Sequence, residues 1–365
     1  MRRAAAGDLF VVVVVAVIAL AVGVVVRGDD RPTTTEPVAA VTVDSTRLLL
    51  DGEPWWPVGY NAYQLTTDWS LNVGCGAQVN LDEYFGALPA RSLTRFALLA
   101  PSTVRSDDGT IDYAAADAVF AAAARHDQLV LPVLASGDGA CDGETVKDID
   151  FYRGQWRTRQ ASAHGSYADW VRTAVQRWHD APALVGWTAV GEPEPVTCLD
   201  AACTAPSGRT CAPDAAEVLR TFYDDVGALI DEIDPDHLIF AGLLGGDQCG
   251  SAGPAYANLG ASPGIDVLEY HLYPTDALVP VDARLPARIE IAKDVHKPLL
   301  VAEVGIEAGS CRPLAQRADL LRAQIDTARD LGGAGALVWS YVPDPRPSEC
   351  TYDIGPGDPL WPRLN

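Results

Sequence analysis

Residues 184–195 read LVGWTAVGEPEP, and residues 297–305 read KPLLVAEVG. Each is a short apolar run that ends at a carboxylate, Glu192 in the first and Glu303 in the second, before a polar loop. Unbroken apolar runs of this length belong to strands buried on both faces, as in a parallel sheet covered by helices. Six further runs have the same character: Pro57–Gly59, Leu93–Leu99, Leu129–Ala135, Leu238–Leu243, Ile265–Tyr270 and Ala336–Trp339. With Leu184–Val190 and Leu299–Ala302 they make eight strand candidates over residues 57–339. Stretches of helical period lie between them: Ile111–His126, Tyr167–Trp178, Ala215–Ile233 and Pro313–Leu331, the last stopped by Gly332-Gly333. Strands alternating with helices predict a parallel sheet. Eight such units favour a closed (β/α)8 TIM barrel over an open sheet, and neither the GxGxxG nor the GxxxxGK[ST] loop of a nucleotide-binding open sheet occurs. Upstream, Val41–Leu50 with a turn at Asp51-Gly52 reads as a short β-hairpin preceding the barrel.

In a parallel barrel the chemistry sits at the C-terminal ends of the strands. Glu192 and Glu303 end the fourth and seventh strand candidates, whose tips face each other across one mouth. Two facing carboxyls there are the equipment for cleaving a glycosidic bond, one as acid/base and one as nucleophile. One glutamate alone would read as a helix cap or a rim partner for arginine. Two on matching strands, both in aromatic company, are harder to account for in that way. Glu194 and Glu307 lie further into the loops, and strand alternation turns Glu269 away from Tyr270 without saying which of them faces the barrel.

Read in this order, the chain resembles glycoside hydrolase clan A, most closely family five, the cellulase and mannanase family of retaining β-glycosidases. Leu49–Tyr63 (LLDGEPWWPVGYNAY) resembles the family's hairpin and first strand, and Leu93–Leu99 (LTRFALL) its second, with Arg95 at the active-site arginine. Tyr167–Pro193 resembles the long helix, the fourth strand and the acid/base, here Glu192. Asp266–Pro274 (DVLEYHLYP) carries His271 and Tyr273 at the His-x-Tyr motif. Lys297–Gly305 carries the nucleophile, here Glu303, and Gly335–Tyr341 (GALVWSY) carries Trp339 as a sugar platform. The resemblance covers about residues 41–341. It implies catalytic roles for Glu192 and Glu303 and substrate-binding positions for Arg95, Asn61, His271, Tyr273 and Trp339, with a glycan as substrate and no metal or cofactor. Arg95 and the Tyr273 hydroxyl are expected to hold Glu303 as carboxylate, and burial without a cation is expected to raise the pKa of Glu192. One departure stands out: the family has Asn immediately before the acid/base, and here it is Gly191. That Asn amide bonds the sugar 2-hydroxyl in the transition state. Its loss motivates an alternative, a catalytically weak carbohydrate-binding relative. Trp55, Trp56 and Trp187 read as core rather than as subsites.

Composition sets the compartment and the partners. The 365 residues carry a formal net charge of −22, which argues against nucleic acid, since a phosphate backbone calls for clustered Lys and Arg. Arg2 and Arg3 precede an apolar run of 18 residues, Leu9 to Val26. At 1.5 Å per residue it covers about 27 Å, enough for the hydrocarbon core. Residues 1–26 are therefore read as an uncleaved signal anchor or a cleaved signal peptide, residues 27–40 as a linker, and residues 41–365 as the exported barrel, extracytoplasmic and touching the membrane only through its N-terminal segment. Eight cysteines outside the cytoplasm point to disulfides; no CxxC pair supports zinc. All eight fall in the predicted loops after strands one, three, four, five, seven and eight. Cys75–Cys141 and Cys311–Cys350 are the expected bridges, with two or three of Cys198, Cys203, Cys211 and Cys249 pairing among themselves.

Overall fold

A computed structural model describes residues 40–72, 75–143, 145–198, 203, 208–274 and 284–364. The proposed signal or anchor segment 1–26, and the linker up to residue 39, lie outside the described residues. Among the described residues no helix is long and apolar enough to cross a membrane.

The chain begins with an antiparallel sheet of β1 (Val41–Asp44), β2 (Arg47–Leu50) and β3 (Glu53–Trp55). The predicted hairpin thus has one strand more than expected, because Ser45, at φ 54°, makes a turn ahead of the anticipated one at Asp51-Gly52. The barrel follows. Its strands are β4 (Val58–Asn61), β5 (Leu93–Ala97), β6 (Leu129–Val133) and β7 (Gly186–Thr188). A small pair, β8 (Val196–Cys198) and β9 (Arg209–Cys211), interrupts before β10 (Leu238–Phe240), β11 (Leu268–Leu272), β12 (Leu299–Val304) and β13 (Ala336–Val338). The eight barrel strands hydrogen-bond in parallel, in the order β10-β7-β6-β5-β4-β13-β12-β11. The two ends meet where Phe240 bridges Val267, so the sheet closes between β10 and the approach to β11.

Helices cover the outside: α1 (Leu81–Ala87), α2 (Ala114–Arg125), the short α3 (Trp156–Thr158), α4 (Tyr167–Trp178), α5 (Ala215–Asp231), α6 (Ala255–Gly260), α7 (Arg284–Asp294) and α8 (Leu314–Leu331). Sequence dictates their ends. Ser166 and Asp169 cap α4 reciprocally, and α8 stops at Gly332, whose φ of 98° suits a residue without Cβ. The main core lies between helices and barrel, with Trp170, Val171, Val175 and Trp178 of α4 and Leu219, Phe222 and Val226 of α5 packed on it. A second core fills the barrel from the N-terminal end, where Val41, Leu48 and Leu50 plug Leu93, Leu131, Phe240 and Leu300. Barrel walls approach closely there: a Cβ on Gly59 would lie 1.8 Å from the Leu93 carbonyl oxygen. Trp187 is buried and donates to Asp234 at 2.7 Å, and Trp56 donates to the Gly333 carbonyl, as the core reading requires.

All eight cysteines are bridged: Cys75–Cys141, Cys198–Cys203, Cys211–Cys249 and Cys311–Cys350. Both named expectations hold, and the central four pair completely rather than in part. Every bridge lies in the loops beyond the C-terminal ends of the barrel strands.

Candidate active site

The C-terminal mouth opens into a cleft of about 520 Å³, walled by Asn61, Arg95, Gly191, Glu192, Tyr273, Glu303 and Trp339 among others. Each of the seven sequence-assigned residues reaches it or its floor.

Glu303 lies inside β12, one residue further into the strand than the apolar run suggests. The β11–β12 ladder slips between Tyr270 and His271, so that Tyr270 faces Val301 while His271 faces Glu303. The extra residue, Ala302, is a bulge, which re-aims the side chain after it. The Ala302 carbonyl left over by the bulge accepts a 2.7 Å bond from the Asn61 amide. Asn61 Oδ1 in turn accepts from Arg95 Nη1 at 3.0 Å, and the same Nη1 donates to Glu303 Oε1 at 2.8 Å. Tyr273 donates its hydroxyl to Glu303 Oε2 at 2.5 Å. Glu303 is therefore gripped at both oxygens, and its side chain is only 6% exposed. Burial pushes its carboxyl up, and the His271 and Arg95 charges pull it only part of the way back, which leaves it above the ordinary glutamate value.

Glu192 sits four residues past the end of β7, directly after the isolated bridge between Ser136 and Gly191, at φ 53°. A non-glycine residue in the left-handed region needs support, and it has it on both sides. The Gly191 N–H bonds the Ala135 carbonyl, and the Glu192 N–H bonds the Gly242 carbonyl, both at 2.8 Å. The side chain is 38% exposed, so the expected deep burial of the acid is not found; the buried carboxyl is Glu303. Nor does Glu192 lack a cationic neighbour. Nδ1 of His271 lies 2.7 Å from Glu192 Oε1 and 3.4 Å from Glu303 Oε2. Burial alone would lower the His271 pKa, but Glu303, Glu192 and Glu269 outweigh it and raise the value to about 9. The imidazole is thus a cation at neutral pH, donating into the gap between the two carboxylates. One oxygen each of Glu192 and Glu303 and a nitrogen of His271 lie within 4.8 Å of one another. These atom types could hold a divalent ion, but His271 Nδ1 is already spent on Glu192, and Arg95 counters Glu303 from the other side. Among the described residues, Glu307 with Cys311 and Cys350 is the other such group, and its sulfurs are bonded to each other.

Trp339 is half-buried beside the cleft, and Tyr63 stacks on it at 5.5 Å with planes 15° apart. Sequence reasoning passed over Tyr63, although it closes the quoted segment LLDGEPWWPVGYNAY. It also left Glu269 unassigned. That side chain is fully buried and points into the barrel beneath Arg95 and His271. Strand alternation had narrowed the choice, and the His271 orientation decides it. Glu194 accepts from the Cys249 N–H and belongs to the loop. Gly260–Gly264 (GASPG) has nucleophile-elbow spacing, yet it is the turn before β11, with Ser262 buried and bonded to Asp224.

Fold and site together are those of a (β/α)8 barrel with two carboxylates at one mouth, an arrangement similar to that of glycoside hydrolases of the mannanase type. No family profile matches the chain. It is 26% identical over 242 residues to probable mannan endo-1,4-beta-mannosidase F of Aspergillus flavus, an alignment spanning 62% of this chain and 47% of that protein. The chain thus spans about half the length of the curated relatives it matches. Its fold is similar to the endo-1,4-beta-mannanase of Rhizomucor miehei, with a TM-score of 0.61 and 18% identity over 88% of this chain and 96% of that one. It is similar too to a glycoside hydrolase family 5 mannosidase of Rhizomucor miehei, with a TM-score of 0.56 and 13% identity over 88% and 95%. The family five resemblance read from the motifs is borne out.

Proposed function

We propose that this protein is an exported retaining β-glycosidase acting on a β-linked, mannan-type polysaccharide. The observation that carries the reading is the spacing of the two carboxylates, an oxygen of each within 4.8 Å of the other and both open to one cleft. Retaining enzymes hold their pair about 5–5.5 Å apart, while inverting ones need about 6.5–9.5 Å to admit a water. In the first step Glu303 attacks the anomeric carbon. The carbon–oxygen bond to the leaving sugar breaks, and Glu192 gives that oxygen its proton. In the second step Glu192 takes a proton from water, whose oxygen displaces Glu303 and retains the configuration. Arg95, Tyr273 and His271 hold the Glu303 oxygens in place, and Trp339 with Tyr63 offers a flat apolar wall to sugar C–H groups.

Four disulfides suit an oxidising compartment and support export, with residues 1–26 as anchor or signal peptide and residues 41–365 as the working barrel. The mannan preference rests on the named relatives. Gly191 favours a second reading, a weakly catalytic glycan binder, because the amide that would read the sugar 2-hydroxyl is missing. Reducing-sugar release by residues 41–365 on a panel of mannans, glucans and xylans decides between the two. Hydrolysis of mannan, abolished in Glu303→Ala and partly rescued by azide in Glu192→Ala on an activated aryl glycoside, is the expected result. Glycan binding without turnover, equal in both variants, would establish the binder.

A further inference from the structure

The third carboxylate of the site, Glu269, has no part in the chemistry described above. It lies in β11 two residues before His271 on the same inward face, and its side chain is wholly buried. Its Oε1 accepts from the Thr188 hydroxyl at 3.2 Å. Its Oε2 stands 3.7 Å from His271 Nε2 and 3.8 Å from Arg95 Nη2, almost equidistant from the two cations that grip the reacting carboxylates. Oε2, His271 Nε2 and Arg95 Nε have no hydrogen-bond partner among the described residues. An uncompensated ion in such a place costs several kcal/mol, so a carboxylate there is tolerated only as a counter-charge. With Glu192 holding the proton that it gives to the leaving oxygen, Glu303 and Glu269 are the two carboxylates left to offset Arg95 and a protonated His271.

We propose that Glu269 is a positioning residue, the buried counter-anion shared by Arg95 and His271, which keeps the His271 imidazole doubly protonated and turned with its Nδ1–H toward Glu192 and Glu303. The groups facing His271 are Glu192 from the loop after β7, Glu303 from β12, Glu269 from its own strand, and Arg95 and Tyr273 behind them. Of these, Glu269 alone approaches the Nε2 side. Without it, Glu303 and Glu192 alone offset the burial of the ring, the Nε2 proton is lost at a lower pH, and above that pH Glu303 keeps only one of its two cations. The catalytic consequence rests on the glycosidase reading; the protonation of His271 does not.

The test therefore reads the imidazole directly. Nitrogen and carbon NMR of His271, assigned through His271→Gln, is followed against pH in wild type, Glu269→Gln and Glu269→Asp. The expected wild-type midpoint is above 8, with a fall of more than one pH unit in Glu269→Gln and an intermediate value in Glu269→Asp. On mannan oligosaccharides, kcat should fall at least tenfold in Glu269→Gln with KM nearly unchanged, and Glu269→Asp should recover part of it. A midpoint in Glu269→Gln equal to wild type overturns the proposal. So does a wild-type midpoint at or below 6.5, which is measurable even if the Gln variant does not fold. A midpoint that shifts as expected in a protein hydrolysing no mannan, glucan or xylan upholds the role of Glu269 and sinks the glycosidase reading instead.

Discussion

At the scale of single residues, the departure at Gly191 now has a physical shape. A Cβ there would lie 3.2 Å from Val133 Cγ1 and 3.5 Å from Arg95 Nη2. Val133 is nearly buried at the end of β6, so the volume that the asparagine would enter is already partly occupied. Restoring the amide alone would push on a strand and on the guanidinium that holds Glu303. Overpacking of this kind costs about 1–3 kcal/mol. Gly191→Asn by itself should lower both Tm and kcat/KM, whereas Gly191→Asn with Val133→Ala should recover stability and raise kcat/KM on mannan oligosaccharides above the single variant. The double-mutant cycle measures this coupling; additive effects would mean that Val133 is not what excludes the side chain. Asn61 is the converse case. Its place at the end of the first strand was legible, but its task, satisfying the carbonyl freed by the Ala302 bulge while steering Arg95, was not, because a bulge leaves no mark in a run such as LLVAEV.

Elements were legible to the extent that their signals are local. α4 is found at the bounds its period gives, because Trp170, Val171, Ala174, Val175 and Trp178 form one buried face and Ser166 marks the start. Its cap is separable from the chemistry. Ser166 accepts from the Asp169 N–H, and Asp169 Oδ2 accepts the Ser166 N–H at 2.9 Å. Ser166→Ala should cost about 1 kcal/mol. In a chain of this size that is a Tm loss of roughly 1–3 °C with kcat unchanged, read by calorimetry and by mannan turnover. Loss of activity without loss of Tm would show that α4 positions the site directly. The strands fared less evenly. β11 starts later than its apolar run, and β12 extends past its own to include Glu303. Apolar side chains say where a strand is buried, not where its ladder ends, and β11 and β12 carry His271 and Glu303 next to their last residues because the site lies there. α1, α6 and α7 escaped notice because they are short or carry little period.

For the whole molecule, barrel closure puts four disulfides and the charge cluster at one end and the plugged apolar core at the other. Stability therefore carries a pH signature from the site itself. His271 has a folded pKa of about 9 against an ordinary 6.5, with Glu303 the largest of the influences that raise it over the opposing effect of burial. A raised value means that folding binds the proton more tightly. The contribution is complete below pH 6.5 and is lost as pH climbs through 9. Its size is on the order of 3 kcal/mol. Burial also raises Glu303 and lowers Lys297 toward that window, so the comparison of wild type with His271→Gln, rather than the wild-type slope alone, isolates the imidazole. The buried tyrosines Tyr60, Tyr84 and Tyr152 are pushed above their usual 10, and so act at higher pH. Burial lowers His164 below the ordinary value, so its effect falls below pH 6.5. Exposed aspartates such as Asp51 and Asp214, held low by arginines, act below about pH 4. Urea unfolding of residues 41–365 should accordingly give a stability that declines between pH 6.5 and 9.5, while His271→Gln, though less stable at pH 6.5, should give a flatter line over the same interval. Parallel lines for wild type and variant would mean that the imidazole carries no extra proton in the folded state, and the carboxylates of the site would then have Arg95 as their one counter-charge.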